Sequence, residues 1–175
     1  MNPIPLETLQ RFCSKDTNRP NLNQPVNCGA YCYASDGRVI IRTDRHPLCL
    51  EGANTPNFEA VLKDECDGNF MPLPTEPPEG WGTPCGACGG TGGIKCQCHC
   101  GSQHVRQCDD CDGLGKVYQQ PRNIVNVGQS RVQAQFLVRI AKLPNPLIAC
   151  GKNPIDPLHI KFDGGIGRLM PVKLE

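Results

Sequence analysis

Along the first sixteen residues, Leu6, Leu9, Phe12 and Cys13 recur at helical spacing, and Asn18-Arg19-Pro20 closes the segment, so the pattern predicts a helix over 5–16. Val26 to Ala34 has strand-like composition, Asp36-Gly37 is a hairpin signal, and Arg38-Val39-Ile40-Ile41-Arg42 reads as the returning strand. Thr55-Pro56 ahead of Phe58-Glu-Ala-Val61-Leu62 predicts an N-cap with proline at the first helical position, opening a short acidic helix. Residues 71–84 hold five prolines and read as an extended linker. Beyond residue 118, Asn123 to Val127 reads as a strand. Ser130-Arg-Val-Gln133 then predicts a capping box for a helix that ends before Pro144. On that helix Val132, Phe136 and Ile140 form an apolar stripe, and Arg131, Gln135, Arg139 and Lys142 form a second stripe that reads as a cationic ridge. Leu147 to Ala149, His159 to Phe162 and Arg168 to Val172 read as short strands separated by Pro and Gly turns.

Between these segments the periodicity stops and cysteines take over. Cys85-Gly-Ala-Cys88-Gly-Gly-Thr-Gly92 and Cys108-Asp-Asp-Cys111-Asp-Gly-Leu-Gly115 are two copies of C-x-x-C-x-G-x-G with 19 residues between Cys88 and Cys108. A C-x-x-C turn aims two thiolates at one point, and two such turns facing each other complete a tetrahedron that suits Zn2+. The glycines permit positive φ and close wrapping where a Cβ would clash. Cys96, Cys98, Cys100 and His104 in the intervening loop are candidates for a second, irregular zinc site, because thiolate and imidazole both suit zinc.

The 175 residues are enough for one ordinary domain with a small insert. No apolar stretch approaches the length needed to cross a bilayer, and the start lacks a basic segment followed by an apolar run, so the expectation is a cytoplasmic protein without a membrane partner. Of thirteen cysteines, seven fall in residues 85–111, which fits a reducing compartment and metal binding better than a disulfide scaffold. The other six, Cys13, Cys28, Cys32, Cys49, Cys66 and Cys150, read as small core or surface residues. A net charge of +1 conceals a division: residues 1–45 carry six basic and four acidic side chains, 46–81 one and seven, 82–118 three and three, and 119–175 eight and three. Basic ends can meet a polyanion, whereas four zinc-bound thiolates make phosphate binding by the cysteine segment itself unfavourable.

The double motif resembles the cysteine-rich zinc module of DnaJ-type co-chaperones over residues 84–117, with two copies where that family carries four. Outside it, Ser14-Lys15-Asp16, Arg19-Pro20, Leu22, the Ala34-Ser35-Asp36-Gly37 turn and the ending Leu169-Met170-Pro171-Val172-Lys173-Leu174 resemble one domain of the bacterial sliding clamp, the processivity ring of replicative DNA polymerase. The clamp-like stretches cover residues 6–43 and 122–174. Ser35 replaces the family's threonine and Lys173 its arginine. The resemblance implies an α+β fold: one clamp-like domain of two βαβββ-like halves, residues 1–81 and 119–175, interrupted by a zinc module at 82–118. In that family a ring needs six such domains, so encircling DNA implies self-association or docking to other clamp-like subunits.

The resulting expectation is a non-enzymatic zinc-binding accessory protein of DNA metabolism, whose partners are DNA or a replication or host protein complex. Arg131, Arg139 and Lys142, with Arg11 and Lys15 of the first helix, are the candidate phosphate contacts, unspecific for sequence and weakened by salt. The competing expectation is a protein-interaction or inhibitory factor of the kind mobile elements and phages encode, which engages a host complex without binding DNA. No catalytic set emerges from the sequence. Two C-x-x-C pairs can in principle exchange disulfides, but metal-held thiolates are occupied, and Gly164-Gly165-Ile166-Gly167 reads as a bend rather than a phosphate loop.

Overall fold

The computed structural model describes residues 3–52, 55–63, 68–73, 82–96, 104–111, 113–117 and 124–173. Two compact units result: Met1–Thr75 with Val125–Glu175, and Glu76–Ile124. The first is a mixed α+β unit dominated by sheet. In chain order it contains α1 (Leu6–Gln10), β1 (Val26–Cys28), β2 (Tyr31–Ser35), β3 (Val39–Asp44), β4 (Leu50–Glu51), α2 (Phe58–Leu62) and β5 (Met71–Pro72). The second unit contributes β6 (Thr83–Pro84), β7 (Gly93–Cys96), β8 (His104–Gln107) and β9 (Lys116–Val117). The chain then runs through β10 (Ile124–Val127), β11 (Ser130–Gln133), α3 (Ala134–Ile140), β12 (Leu147–Ala149), β13 (Leu158–Phe162) and β14 (Gly165–Leu169).

Eight strands form a single sheet in the order β4-β1-β2-β3-β14-β13-β12-β5, so the helix-then-meander runs α1-β1-β2-β3 and α3-β12-β13-β14 meet at the antiparallel β3–β14 pair. The inner six strands are palindromic about the seam, an internal two-fold repeat at the level of topology; the outermost strands break it, since β4 pairs parallel with β1 and β5 antiparallel with β12. The second half has a strand, β11, ahead of its helix. The first half begins directly with α1 among the described residues, which corrects the expected leading strand there. The seam is tight at Gly167, where a Cβ would lie 2.5 Å from the Ile40 carbonyl oxygen and 2.6 Å from Ile41 Cδ1. Gly165 and Gly167 therefore sit inside a strand, not in the bend expected from their sequence.

Alternation along β3 sends Val39 and Ile41 to one face and Ile40 to the other, and both faces are covered. Leu9 and Phe12 from the α1 segment join Phe136, Leu137 and Ile140 of α3 over Cys32, Ala34, Ile41, Ile148, Leu158, Ile160 and Leu169. Both helices thus share one sheet face. Burying each of the larger of these side chains contributes about 1.5–3 kcal/mol. On the opposite face α2 packs Phe58 and Leu62 against Val26, Tyr33 and Ile40, with the Tyr33 and Phe58 rings stacked at 5.0 Å. Glu59 of α2 accepts from the Tyr33 hydroxyl and pairs with Arg42 at 3.1 Å, which fastens the helix to β2 and β3.

Several boundaries differ from expectation for local reasons. α1 stops at Gln10 instead of running to 16, because the next amides turn back three residues, Cys13 N to Gln10 O at 3.1 Å, and Asp16 Oδ1 accepts from the Asn18 amide. The stretch 26–34 is two strands joined at Gly29-Ala30, not one. The cap of α2 is Asn57, whose Oδ1 accepts from Ala60 N at 3.1 Å, not Thr55. Ser130 to Gln133 is strand β11 rather than a capping box: Gly128 adopts φ +56° and turns the chain into a β10–β11 hairpin, and Gln133 precedes α3 without a side-chain cap. Of the 71–84 linker only 71–73 and 82–84 are among the described residues, and these include β5 and β6.

Candidate metal centre

In the second unit each C-x-x-C-x-G-x-G repeat folds into the same knuckle. Gly90 N donates to Cys85 O at 3.1 Å and Gly113 N to Cys108 O at 3.0 Å; Thr91 N reaches Cys88 O at 3.2 Å and Leu114 N reaches Cys111 O at 2.9 Å. The knuckles are tied reciprocally, Cys85 N to Gly115 O and Cys108 N to Gly92 O, both at 2.9 Å. Gly92 and Gly115 hold φ +77° and +74°, and a Cβ on either would lie 2.4 Å from Gly113 O or 2.3 Å from Gly90 O. Both the left-handed backbone and the close approach require glycine there.

These knuckles gather the sulfurs of Cys85, Cys88, Cys108 and Cys111 within 4.8 Å of one another. Cys85 Sγ lies 3.8 Å from Cys108 Sγ, and Cys88 Sγ lies 3.7 Å from Cys111 Sγ. Four thiolates about 2.3 Å from a tetrahedral zinc are about 3.8 Å apart, so the spacing fits a Zn2+ ion and is far longer than a disulfide of about 2.05 Å. Amides aim at the sulfurs as well: Gly92 N donates to Cys88 Sγ at 3.2 Å and Gly115 N to Cys111 Sγ at 3.3 Å. Such donors orient thiolate ligands and temper their charge. Without a cation the cluster resists full ionisation. Burial pushes the Cys111 thiol up to about 12, and the neighbouring Cys108, Cys88 and Cys85 add to that. At Cys88, burial acts upward too, but the Gly92 amide and the adjoining thiols outweigh it and bring the group down to about 7. A divalent ion resolves this conflict by neutralising the thiolates together.

The possible second site falls differently. The β7–β8 ladder pairs the backbones of Cys96 and His104, whereas Cys98 and Cys100 lie outside the described residues, as do the side chains of Cys96 and His104.

The expected cationic ridge is not assembled. Arg131 is exposed on strand β11, and its carbonyl accepts from Val172 N at 2.7 Å, so it does not share a helix with Arg139. Arg139 pairs with Asp36 of the β2–β3 turn at 3.2 Å, with side chains only 12% and 16% exposed, and its guanidinium lies 5.5 Å over the Phe136 ring. Lys142 is exposed in the turn after α3, Lys15 is exposed after α1, and Arg11 is half-buried with Nε lacking a hydrogen-bond partner. Asp36 was legible only as a turn residue; its pairing across 103 positions has no local sequence signal.

Comparison with known proteins finds no family model that matches the chain and no curated protein that matches it. Among solved structures, a DnaN sliding clamp (DNA polymerase III subunit beta) from Bartonella birtlesii, crystallised with griselimycin, is similar at 11% identity and a TM-score of 0.46, over 97% of this chain and 63% of that one. The chain thus spans less than two thirds of that clamp, and at this score the likeness carries no functional argument. What stands on this chain's own residues is a mixed α+β fold and a four-cysteine centre whose geometry suits a metal ion.

Proposed function

We propose that the chain is a non-enzymatic, zinc-binding accessory protein of DNA metabolism, with a clamp-like unit and a structural Zn2+ held by Cys85, Cys88, Cys108 and Cys111. The observation that carries the reading is the pairing of two repeats: reciprocal knuckles around four converging sulfurs, and a sheet whose inner six strands are palindromic, with both of its repeated helices on one face. The second supports the paired sheet-and-helix halves implied by the clamp resemblance. Zinc here supplies a cross-link and no chemistry, since four protein sulfurs leave no open position. With Arg139 engaged by Asp36, phosphate contacts rest on Arg131, Lys142, Lys15 and Arg11. The withdrawal of Arg139 into its pair with Asp36, and the placing of Arg131 on a strand, favour, as a second reading, a factor that engages a host protein complex without DNA.

Elemental analysis of the purified chain tests the metal, with at least one zinc per chain expected and stoichiometric loss of one in Cys108→Ser. A gel shift with duplex DNA between 50 and 200 mM salt tests the partner. A shift that weakens with salt, and that Arg131→Glu with Lys142→Glu reduces, supports the DNA reading. A stable protein complex with no shift at any salt replaces it with the second.

A further inference from the structure

The first unit holds a second set of close thiols, remote from the zinc ligands in sequence. Cys32 of β2 is fully buried, Cys49 on the segment before β4 is half-buried, and their sulfurs are 3.5 Å apart. The approach is built by Asn27, the cross-strand partner of Cys32 in the β1–β2 ladder. Asn27 is 3% exposed, and both ends of its amide grip the segment that carries Cys49: Nδ2 donates to His46 O at 3.0 Å and to Cys49 O at 2.8 Å, and Oδ1 accepts from His46 N at 3.1 Å. The segment is further folded on itself by Cys49 N to His46 O at 3.2 Å and by Leu48 N to His46 Nδ1 at 3.2 Å. A buried, fully bonded asparagine thus seats one thiol over the other. Cys13 is buried nearby, but its sulfur is directed to Leu9 O at 3.8 Å.

We propose that Cys32 and Cys49 are a disulfide-forming pair whose co-substrate is a small-molecule disulfide such as oxidised glutathione, independent of the zinc centre and of the function proposed above. Cys49 is the point of entry, because it alone of the two reaches solvent. Its thiolate attacks one sulfur of oxidised glutathione, forming a Cys49–glutathione mixed disulfide and expelling a glutathione thiolate. Cys32 then passes its proton to that thiolate and attacks Cys49 Sγ, breaking the mixed disulfide and releasing the second glutathione. Two protein thiols are oxidised to one disulfide, and one oxidised glutathione is reduced to two thiols. Burial pushes the Cys32 thiol up to about 12, with Cys49 adding to the rise, so Cys32 stays protonated until its neighbour presents an electrophile. The cross-link would fasten β2 to the segment whose flanking Leu48 and Leu50 stand 72% and 68% exposed.

The test treats the zinc-loaded full chain with oxidised glutathione, blocks remaining thiols with iodoacetamide and maps tryptic peptides by mass spectrometry. The expected result is a DTT-sensitive link between the peptides carrying Cys32 and Cys49, loss of two titratable thiols per chain and unchanged zinc. Cys28 shares a tryptic peptide with Cys32, so Cys28→Ser must retain the link and Cys49→Ser must abolish it. A persistent glutathione adduct on Cys49, a link through Cys28 or Cys13, or no reaction at either thiol overturns the proposal. Because the wild-type chain alone gives the map, misfolding of a variant does not shelter it.

Discussion

Arg139 offers the sharpest check on how this fold uses its charges. Its pair with Asp36 ties α3 to the β2–β3 turn at 3.2 Å, and both side chains are mostly withdrawn from water. At an effective dielectric of about 20 the attraction across that distance is about 5 kcal/mol, most of which desolvation of the two ions cancels. Removing one partner takes the opposite charge from a group that is mostly withdrawn from water, so Arg139→Met or Asp36→Asn should cost about 2–3 kcal/mol, somewhat below the 3–5 kcal/mol of fully buried pairs because water still touches both groups. Methionine keeps an aliphatic stem over Phe136. Asparagine keeps an Oδ1 for the Arg38 and Val39 amides, which Asp36 accepts at 2.8 and 3.0 Å. Each substitution should lower Tm by about 5–10 °C in a domain of this size. Urea denaturation of the two single variants and the double variant closes a thermodynamic cycle, with an expected coupling of about 1–2 kcal/mol. If the single costs simply add, within about 0.5 kcal/mol, the pair is not an interaction unit and Arg139 returns to the pool of surface cations available for phosphate.

Two further outcomes test the local geometry. Gly92→Ala and Gly115→Ala force a Cβ into a left-handed backbone and onto a carbonyl 2.4 or 2.3 Å away, so zinc affinity should fall about 100-fold, while Gly86→Ala, with nothing within 4 Å, should be neutral; equal affinities in competition with a chromogenic chelator would refute the knuckle packing. The Tyr33 hydroxyl, more than the opposing burial, and the Arg42 guanidinium hold the Glu59 carboxyl below its usual range. The sign follows: this stabilisation is fully present above the unfolded value of about 4.3 and disappears as pH falls through the depressed folded value. Between pH 6 and 3 the Tm of the wild type should therefore drop more than that of Glu59→Gln, and parallel curves would show that the contacts do not favour the charged form.

What was readable in the sequence was what is encoded within a few residues. The C-x-x-C-x-G-x-G repeats specify their own hydrogen bonds, sulfurs and glycine angles, and they emerged as expected because each knuckle is a local object. Asp36-Gly37 was legible for the same reason. Ser130 to Gln133 was not, because its letters satisfy a helix cap equally well, and the decision went to Gly128, which turns the chain back and pairs the segment with β10. Gly165 and Gly167 pair locally with Phe162 and Ile160 in the β13–β14 hairpin, but the close approach of β3 that requires glycine at both comes from more than 120 positions away in sequence, which no local window contains. Arg139 shows the functional cost of that limit: at helical spacing from Lys142 it counts as a surface cation, and only the folded turn at Asp36 withdraws it.

The metal unit makes the opposite case, where chemistry substitutes for packing. Among the described residues its buried cluster is made of Cys85, Cys108 and Cys111, with Cys88, Ile94 and Val117 packed against them. Two aliphatic side chains contribute about 3–6 kcal/mol on full burial, and both are only partly buried here. Chain ordering opposes these contacts, since fixing each backbone residue costs about 1–2 kcal/mol. A structural zinc site releases about 10–16 kcal/mol and ties four points of the chain together at once. On the zinc reading proposed above, the knuckles need the ion to persist, whereas the first unit, with helices and sheet around a continuous apolar core, does not. Chelation should accordingly remove structure from one unit and leave the melting of the other in place, a separation that a single shared core would not allow.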